Sequence, residues 1–241
     1  MSGYYIASCM FTAQFPEISM RMQNYIRSKS DIEIVRCCIP GYRVEHNTER
    51  IAGDDVRNAW KELPVSQVFQ PEDRVISVCH NCTNIVEEWR GAKVLSLWEM
   101  IDQDPSFQFP DYGGMEVTVQ DCWRTRERRS EQDAVRSLLT KMNIRYVEAE
   151  KHHGETDFCG STLYREQPAK NYRLAPRHYV EEAEGKFVSH TLEEQTAIME
   201  DYCRQFHTDM VVCYCHYCLE GLIQGKVNGR HIGELLFPDK I

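Results

Sequence analysis

The sequence contains no long hydrophobic run. No segment approaches the roughly 20 continuous apolar residues that a membrane-spanning helix needs, and the segment Met1–Phe15 lacks the basic and apolar regions of a secretory leader. A phosphate-binding loop, a glycine-rich dinucleotide fingerprint and a G-x-S-x-G nucleophile turn are missing as well. We therefore expect a cytoplasmic protein that does not span a membrane directly and that receives its electrons or cosubstrates from other molecules.

Positive charge is also in short supply. The chain has 28 basic and 37 acidic residues, which gives a formal net charge of −9. A nucleic-acid-binding surface needs an excess of positive charge to neutralise phosphates, so we expect no nucleic acid partner. The run of arginines from Arg124 to Arg129 is a local basic candidate, although such runs are typical of solvated helix faces.

Cysteine, in contrast, is abundant. The chain is too long for a disulfide-bonded mini-protein and its 11 cysteines are an odd number, so metal ligation or redox chemistry is favoured. All but Cys203, which lies on a helical pattern and is expected in the core, fall into two groups with the same order. The first group is Cys9, Cys37, Cys38, Cys79 and Cys82, and the second is Cys122, Cys159, Cys213, Cys215 and Cys218.

The repeated order predicts an internal duplication. In both halves short apolar strands that end on cysteines alternate with helical stretches, for example 15–26 and 131–142. This alternation predicts an α/β fold of two pseudo-symmetric βαβ-type repeats with mostly parallel sheets and with metal sites at the strand-end loops. The predicted boundaries are 1–102 for the first repeat, 103–114 for a linker and 115–241 for a second, degenerate repeat.

Thiolates are soft ligands that suit iron–sulfur clusters and zinc. Five cysteines exceed the four positions of zinc, so the first group favours a cluster, with zinc as the alternative. The second group offers four ligands, with Cys213 as a spare, which fits zinc or an ordinary cubane cluster. Cys159 and Cys213 are otherwise explained as small buried core residues.

The order C…C-C…C-x-x-C, repeated after a linker, resembles the cysteine-rich CCG-domain family, which includes the B subunit of heterodisulfide reductase. The motifs that carry the resemblance are Asp121-Cys122, Phe158-Cys159-Gly160 and the segment 212–219. The resemblance implies that Cys9, Cys37, Cys38, Cys79 and Cys82 bind a noncubane [4Fe–4S] cluster. The sequence departs from the family at Phe158, which replaces the first cysteine of the doublet, and at Ile39, which replaces its glycine.

The implied function is that of an iron–sulfur oxidoreductase acting on a small thiol or disulfide, with electrons from a ferredoxin or a flavoprotein. His80 and His216, inside the two C-x-x-C turns, are candidate proton donors, unless they are merely exposed turn residues. Two alternatives stay open: a non-catalytic electron-transfer subunit between a flavoprotein or ferredoxin and a partner complex, and a zinc scaffold. The second site is expected to hold zinc or a second [4Fe–4S] cluster.

Overall fold

The structure, a computed structural model, describes residues 3–29, 31–65 and 68–238. The chain divides into two compact units, Met1–Leu97 and Trp98–Ile241. Each unit contains a four-stranded sheet in which every strand pair is parallel. Among the described helices, none combines the length and the apolar character that a membrane span requires.

The first unit has the strand order β2-β1-β3-β4. Its elements in chain order are β1 (Gly3–Ile6), α1 (Cys9–Gln14), α2 (Pro16–Arg27), β2 (Ile32–Val35), α3 (Val44–Glu49), α4 (Asp54–Lys61), β3 (Arg74–Ser77), α5 (His80–Arg90), β4 (Val94–Ser96) and α6 (Leu97–Asp102), which begins at the last residue of the unit.

The second unit repeats this order as β6-β5-β7-β8. Its elements are β5 (Glu116–Gln120), α7 (Arg129–Lys141), β6 (Arg145–Glu148), α8 (Ala169–Leu174), α9 (Leu192–Cys203), β7 (Val211–Cys213), α10 (His216–Gln224), β8 (Gly229–His231) and α11 (Ile232–Leu236). Short 3-10 turns follow β5 and β6, at Trp123–Thr125, His153–Glu155 and Gly160–Tyr164, and a π-helical turn spans Arg177–Glu181.

The central strands of both sheets are apolar and buried, as is typical of the inner strands of parallel sheets. In β1 the residues from Tyr4 to Ile6 are buried, and in β7 all three residues are buried. The edge strand β6 is exposed along its whole length and is correspondingly polar and charged at its ends. The predicted α/β fold with two similar parallel-sheet repeats is therefore confirmed.

The predicted helices lie close to the observed ones. The helix predicted over 15–26 is α2, whose Pro16 occupies the first turn, where a missing backbone N–H has no cost. The helix predicted over 131–142 is α7. Residues 103–114, the predicted linker, form no helix or strand. The stretch 167–186, which showed little pattern in the sequence, contains α8 and the π-helical turn.

Every strand of a parallel sheet ends at the same edge, so residues that follow different strands meet there. In the first unit Cys9 follows β1, Cys37 and Cys38 follow β2, and Cys79 follows β3. In the second unit Cys122 follows β5, Cys159 lies in the longer segment after β6, and Cys215 follows β7. The fold thus collects both cysteine groups at the carboxyl edges of the two sheets.

Candidate metal centre

Four thiols meet at the carboxyl edge of the second sheet. The Sγ atoms of Cys122, Cys159, Cys215 and Cys218 all lie within 4.8 Å of one another. The Cys122 and Cys159 Sγ atoms are 3.4 Å apart, and the Cys159 and Cys215 Sγ atoms are 3.9 Å apart. All four side chains are buried, with at most 2% of any of these residues exposed. This group can hold a metal ion or a cluster.

Local backbone geometry brings the four thiols together. Cys122 and Cys215 are extended residues that directly precede a helical turn, so each thiol lies at the point where a strand gives way to a helix. Cys218 is one turn further along α10. Cys159 is followed by Gly160, which has φ +59° and lies so close to α10 that a Cβ atom would overlap the Tyr217 carbonyl oxygen. Only glycine allows this approach.

A buried arginine supports the four-thiol group. Arg124 is 1% exposed, and its Nη1 donates hydrogen bonds to Cys159 Sγ and to Thr162 Oγ1, the latter at 3.0 Å. Its Nη2 donates to Gln167 Oε1 at 3.2 Å. Among the described residues no carboxylate pairs with this guanidinium, so its counter-charge has to come from the cysteines.

The thiols differ in acidity. Burial raises the pKa values of Cys122 and Cys218 well above the usual range for a thiol. Burial also acts against ionisation of Cys159, but the hydrogen bond that Cys122 donates and the positive charge of Arg124 outweigh it and lower the pKa of Cys159. Cys159 therefore ionises more readily than Cys122 or Cys218.

A buried ion pair between Asp121 and Arg136 fixes the loop that carries Cys122. Asp121 is fully buried, and Arg136 donates to both of its carboxylate oxygens at 2.9 and 2.7 Å. The Tyr214 hydroxyl and the His153 backbone N–H donate to the same carboxylate at 2.7 and 2.6 Å. Burial opposes ionisation of Asp121, but these hydrogen bonds and the charge of Arg136 prevail and lower its pKa.

Two residues next to the group have other contacts. Cys213, the predicted spare ligand, ends β7 and its thiol contacts the Cys215 backbone carbonyl oxygen at 3.6 Å. Phe158, which stands where the family has a cysteine, stacks on Tyr202 with ring centroids 4.3 Å apart. Cys203 is buried in α9, as expected for a core residue.

In the first unit three of the five predicted ligands, Cys38, Cys79 and Cys82, share one cluster of buried and mostly apolar side chains. Among the described residues of this unit, no three potential ligand atoms lie within 4.8 Å of one another as the four thiols of the second unit do. Hydrogen bonds with Cys38 and Cys79, together with burial, raise the pKa of Cys82. Cys37 is buried beside Cys38, whereas Cys9, the first residue of α1, is half-buried and reaches solvent. The first group is thus the more open of the two.

The two histidines of the C-x-x-C turns are not exposed turn residues. His80 and His216 are the first residues of α5 and α10, and they are only 3% and 1% exposed. Both ring nitrogens of His216 are buried and have no hydrogen-bond partner among the described residues. The histidines are therefore enclosed next to the cysteines, where an imidazole can donate only to an adjacent group.

The arginine run does not form a basic surface. Arg126 pairs with Glu182, Arg128 pairs with Glu131 at 3.0 Å, and Arg129 pairs with Asp133 at 2.9 Å. Arg124 is the residue at the four-thiol group that the sequence did not single out, because nothing in a run of four arginines distinguishes the buried one. The sequence feature that sets Arg124 apart from the other arginines of the run is its position two residues after the predicted ligand Cys122.

No protein-family model matches this sequence, and no curated protein is significantly similar to it. Two solved structures show a distant likeness. Glutamate racemase isoform RacE1 from Bacillus anthracis is 12% identical, with 98% of this chain and 78% of that chain covered and a TM-score of 0.33. An aspartate racemase homologue from Pyrococcus horikoshii OT3 is 13% identical, with 96% and 92% covered and a TM-score of 0.28. Likeness at this level supports no argument about chemistry.

Proposed function

We propose that the chain is an iron–sulfur oxidoreductase, similar in chemistry to the B subunit of heterodisulfide reductase, that acts on a small thiol or disulfide. In this proposal the four buried members of the first cysteine group hold a noncubane [4Fe–4S] cluster, and the second group holds a single zinc ion that stabilises the second unit. The observation that supports this division is the difference in solvent exposure between the two groups: Cys9 of the first group is half-buried, whereas all four thiols of the second group are buried. Closed thiolate sites are typical of structural metals, whereas reactive sites keep an open side.

The second group suits one ion better than a cluster. Four sulfurs around a zinc ion at about 2.3 Å form a tetrahedron with edges of about 3.8 Å. The two Sγ separations of 3.4 and 3.9 Å and the upper limit of 4.8 Å bracket this edge. A four-iron cube places an iron atom between each thiolate and the cluster centre, so its thiolates are held further apart. Arg124 would offset part of the negative charge of four thiolates.

The first group offers more thiols than a zinc ion accepts, and one of them reaches solvent. Cys38, Cys79 and Cys82 are the buried thiols that would hold the cluster, with Cys37 beside them. The half-buried Cys9 marks the side from which a small thiol or disulfide can approach. His80 is enclosed directly beside Cys79 and is the candidate proton donor to a departing thiolate.

Reduction of a disulfide to two thiols consumes two electrons and two protons. When bound, an iron–sulfur cluster supplies electrons one at a time. The electrons would come from a ferredoxin or a flavoprotein. We place this chemistry in the cytoplasm, where free thiols persist in the reduced state.

The test is anaerobic purification of the full chain followed by iron, sulfide and zinc analysis. We expect about four irons and one zinc per chain. A Cys38→Ala variant should lose the iron and keep the zinc, and Cys159→Ala should lose the zinc and keep the iron. Zinc alone in the wild-type chain would refute the redox function and leave a zinc scaffold.

Electron paramagnetic resonance of the reduced protein then separates catalysis from electron transfer. Addition of a small thiol should change the signal if the cluster binds substrate sulfur. An unchanged signal would refute the catalytic assignment and favour the electron-transfer subunit. About eight irons per chain would refute the assignment of zinc to the second group.

A further inference from the structure

The strand register identifies which residue of the first unit corresponds to Cys122. In the first sheet Ile6 pairs with Ser77, two residues before Cys79. In the second sheet Gln120 pairs with Cys213, two residues before Cys215. Ile6 and Gln120 are therefore equivalent, and the residues two positions further along are Ser8 and Cys122. Cys9, the predicted ligand, is displaced by one residue from the position that Cys122 occupies.

The local structure agrees with this register. Ser8 directly precedes α1, just as Cys122 directly precedes the 3-10 turn at Trp123–Thr125. Both residues are buried, with exposures of 1% for Ser8 and 0% for Cys122. Cys9 is instead the first helical residue and is only half-buried. A serine thus takes the place in the first unit that a metal-ligating cysteine takes in the second.

The Ser8 hydroxyl is buried and has no hydrogen-bond partner among the residues that the structure describes. Buried hydroxyls are almost always hydrogen-bonded, because water otherwise satisfies them in the unfolded chain. The equivalent side chain, Cys122, has the Cys159 thiol 3.4 Å away and belongs to the four-thiol group. A ligand of the first-unit site would explain why the protein leaves this hydroxyl unsatisfied.

We propose that Ser8 Oγ is a metal ligand of the first-unit site, alongside Cys38, Cys79 and Cys82. This inference rests on the proposed function, since it specifies how the first cysteine group holds its metal. The neutral hydroxyl binds through an oxygen lone pair, so no proton has to leave. Cys9 lies outside this ligand set, on the solvent side.

An oxygen ligand changes what the site can bind. A hydroxyl is a harder and weaker ligand than a thiolate for iron or zinc. A substrate thiolate can therefore replace the Ser8 oxygen, whereas it cannot readily replace one of the four thiolates in the second unit. The inferred substrate class is a small molecule with a thiolate sulfur, bound where Ser8 binds in its absence.

The test uses the full chain with Co²⁺ as the probe ion and alkylation followed by mass spectrometry as the readout. Cys38, Cys79 and Cys82 are buried, so they are alkylated only when the first unit opens transiently, and bound Co²⁺ suppresses this opening. Slower alkylation of these three thiols therefore reports Co²⁺ binding in the first unit separately from the second. We expect Ser8→Ala to raise the Co²⁺ concentration for half-protection by at least about tenfold. Cys9→Ala should leave it unchanged.

A gain-of-ligand variant and a folding control make the result decisive. Ser8→Cys should lower the half-protection concentration and add thiolate-to-cobalt absorption. Without metal, Ser8→Ala should unfold at a higher urea concentration than the wild type, because it removes a buried hydroxyl that has no partner among the described residues. Ser19→Ala, which removes a buried hydroxyl bonded to Thr12 at 2.7 Å, should lose stability without changing Co²⁺ protection.

Two outcomes would overturn the inference in distinguishable ways. If Ser8→Ala leaves protection unchanged, or Cys9→Ala raises the half-protection concentration instead, Ser8 is not the ligand and the proposed function stands. If Co²⁺ protects none of the first-unit cysteines in the wild type, the inference fails, and the iron analysis decides the proposed function separately.

Discussion

Replacement of Arg124 by methionine should stabilise the metal-free protein and at the same time weaken zinc binding. Arg124 is buried, and its hydrogen bonds go to Cys159, Thr162 and Gln167. Among the described residues no carboxylate balances its charge. When the thiols are protonated the guanidinium is a buried charge without a counter-ion, and when they are metal-bound thiolates it is their nearest positive charge.

The size of both effects follows from this arrangement. A positive charge about 4 Å from a negative one contributes about 4 kcal/mol at an effective dielectric constant of about 20. Relaxation of the protein around the substituted residue recovers part of this energy. We therefore expect the free energy of zinc binding to weaken by about 2 to 4 kcal/mol, which is roughly a 30- to 1,000-fold weaker zinc affinity. At a pH where the thiols are protonated, removing the uncompensated charge should stabilise the metal-free protein by about 1 to 2 kcal/mol, after the lost hydrogen bonds are subtracted.

Urea unfolding with a chelator present measures the first effect, and competition with a chromophoric chelator measures zinc affinity. Arg124→Lys keeps the charge without the planar group, so its zinc affinity should lie between those of the wild type and Arg124→Met. Arg126→Met is the matched control, because Arg126 pairs with Glu182 and stacks on Trp123, and none of its contacts among the described residues is with a cysteine. If Arg124→Met destabilised the metal-free protein and left zinc affinity unchanged, Arg124 would be a packing residue and the electrostatic reasoning would be refuted.

Three further predictions concern the support of the second site. Asp121→Asn should lower the free energy of unfolding by about 3 kcal/mol, because it breaks the buried pair with Arg136. The folded-state pKa of Asp121 is lowered, so this stabilisation is present above the unfolded-state pKa of about 4 and is lost as the pH falls. Urea unfolding should therefore show that acid reduces the free energy of unfolding less in the variant than in the wild type. Gly160→Ala should abolish zinc binding, measured by equilibrium dialysis, because its Cβ would overlap the backbone of α10. Gly185 is also at positive φ but has no neighbour within 4 Å, so Gly185→Ala should lower the free energy of unfolding by only about 1 kcal/mol and keep the metal. Cys213→Ala should retain full zinc content by elemental analysis, and a loss equal to that of a four-thiol-group variant would show that the spare cysteine is a ligand.

Most of the fold could be predicted from the sequence, because periodicity is a local property. Apolar runs such as 4–6 and 211–213 are typical of strands buried on both faces, and their alternation with helical stretches predicts parallel sheets. The repeated cysteine order indicated the duplication. The stretch 167–186 was not predictable, because α8 and the π-helical turn are short and show little amphipathic pattern.

The site could be predicted only in outline. The spacing of Cys215 and Cys218 on one helical turn, and the placement of Cys122 and Cys159 after strands, indicate ligands through local pattern alone. Burial was not predictable, because it depends on segments distant in the chain. No local pattern indicates that Arg124 is enclosed, that Phe158 stacks on Tyr202, or that both C-x-x-C histidines are buried.

Composition and local spacing are therefore enough to establish the α/β class, the internal repeat and the residue types available for ligation. Which residues share a site depends instead on how the strands pair, and this is a property of the folded chain. Strand register makes Ser8, and not Cys9, the equivalent of Cys122, and a shift of one residue along the chain separates a buried side chain from a half-buried one. A cysteine pattern in the sequence fits equally well when a ligand lies one residue earlier or later. Close packing at the edge of a sheet places only one of the two side chains in the buried position.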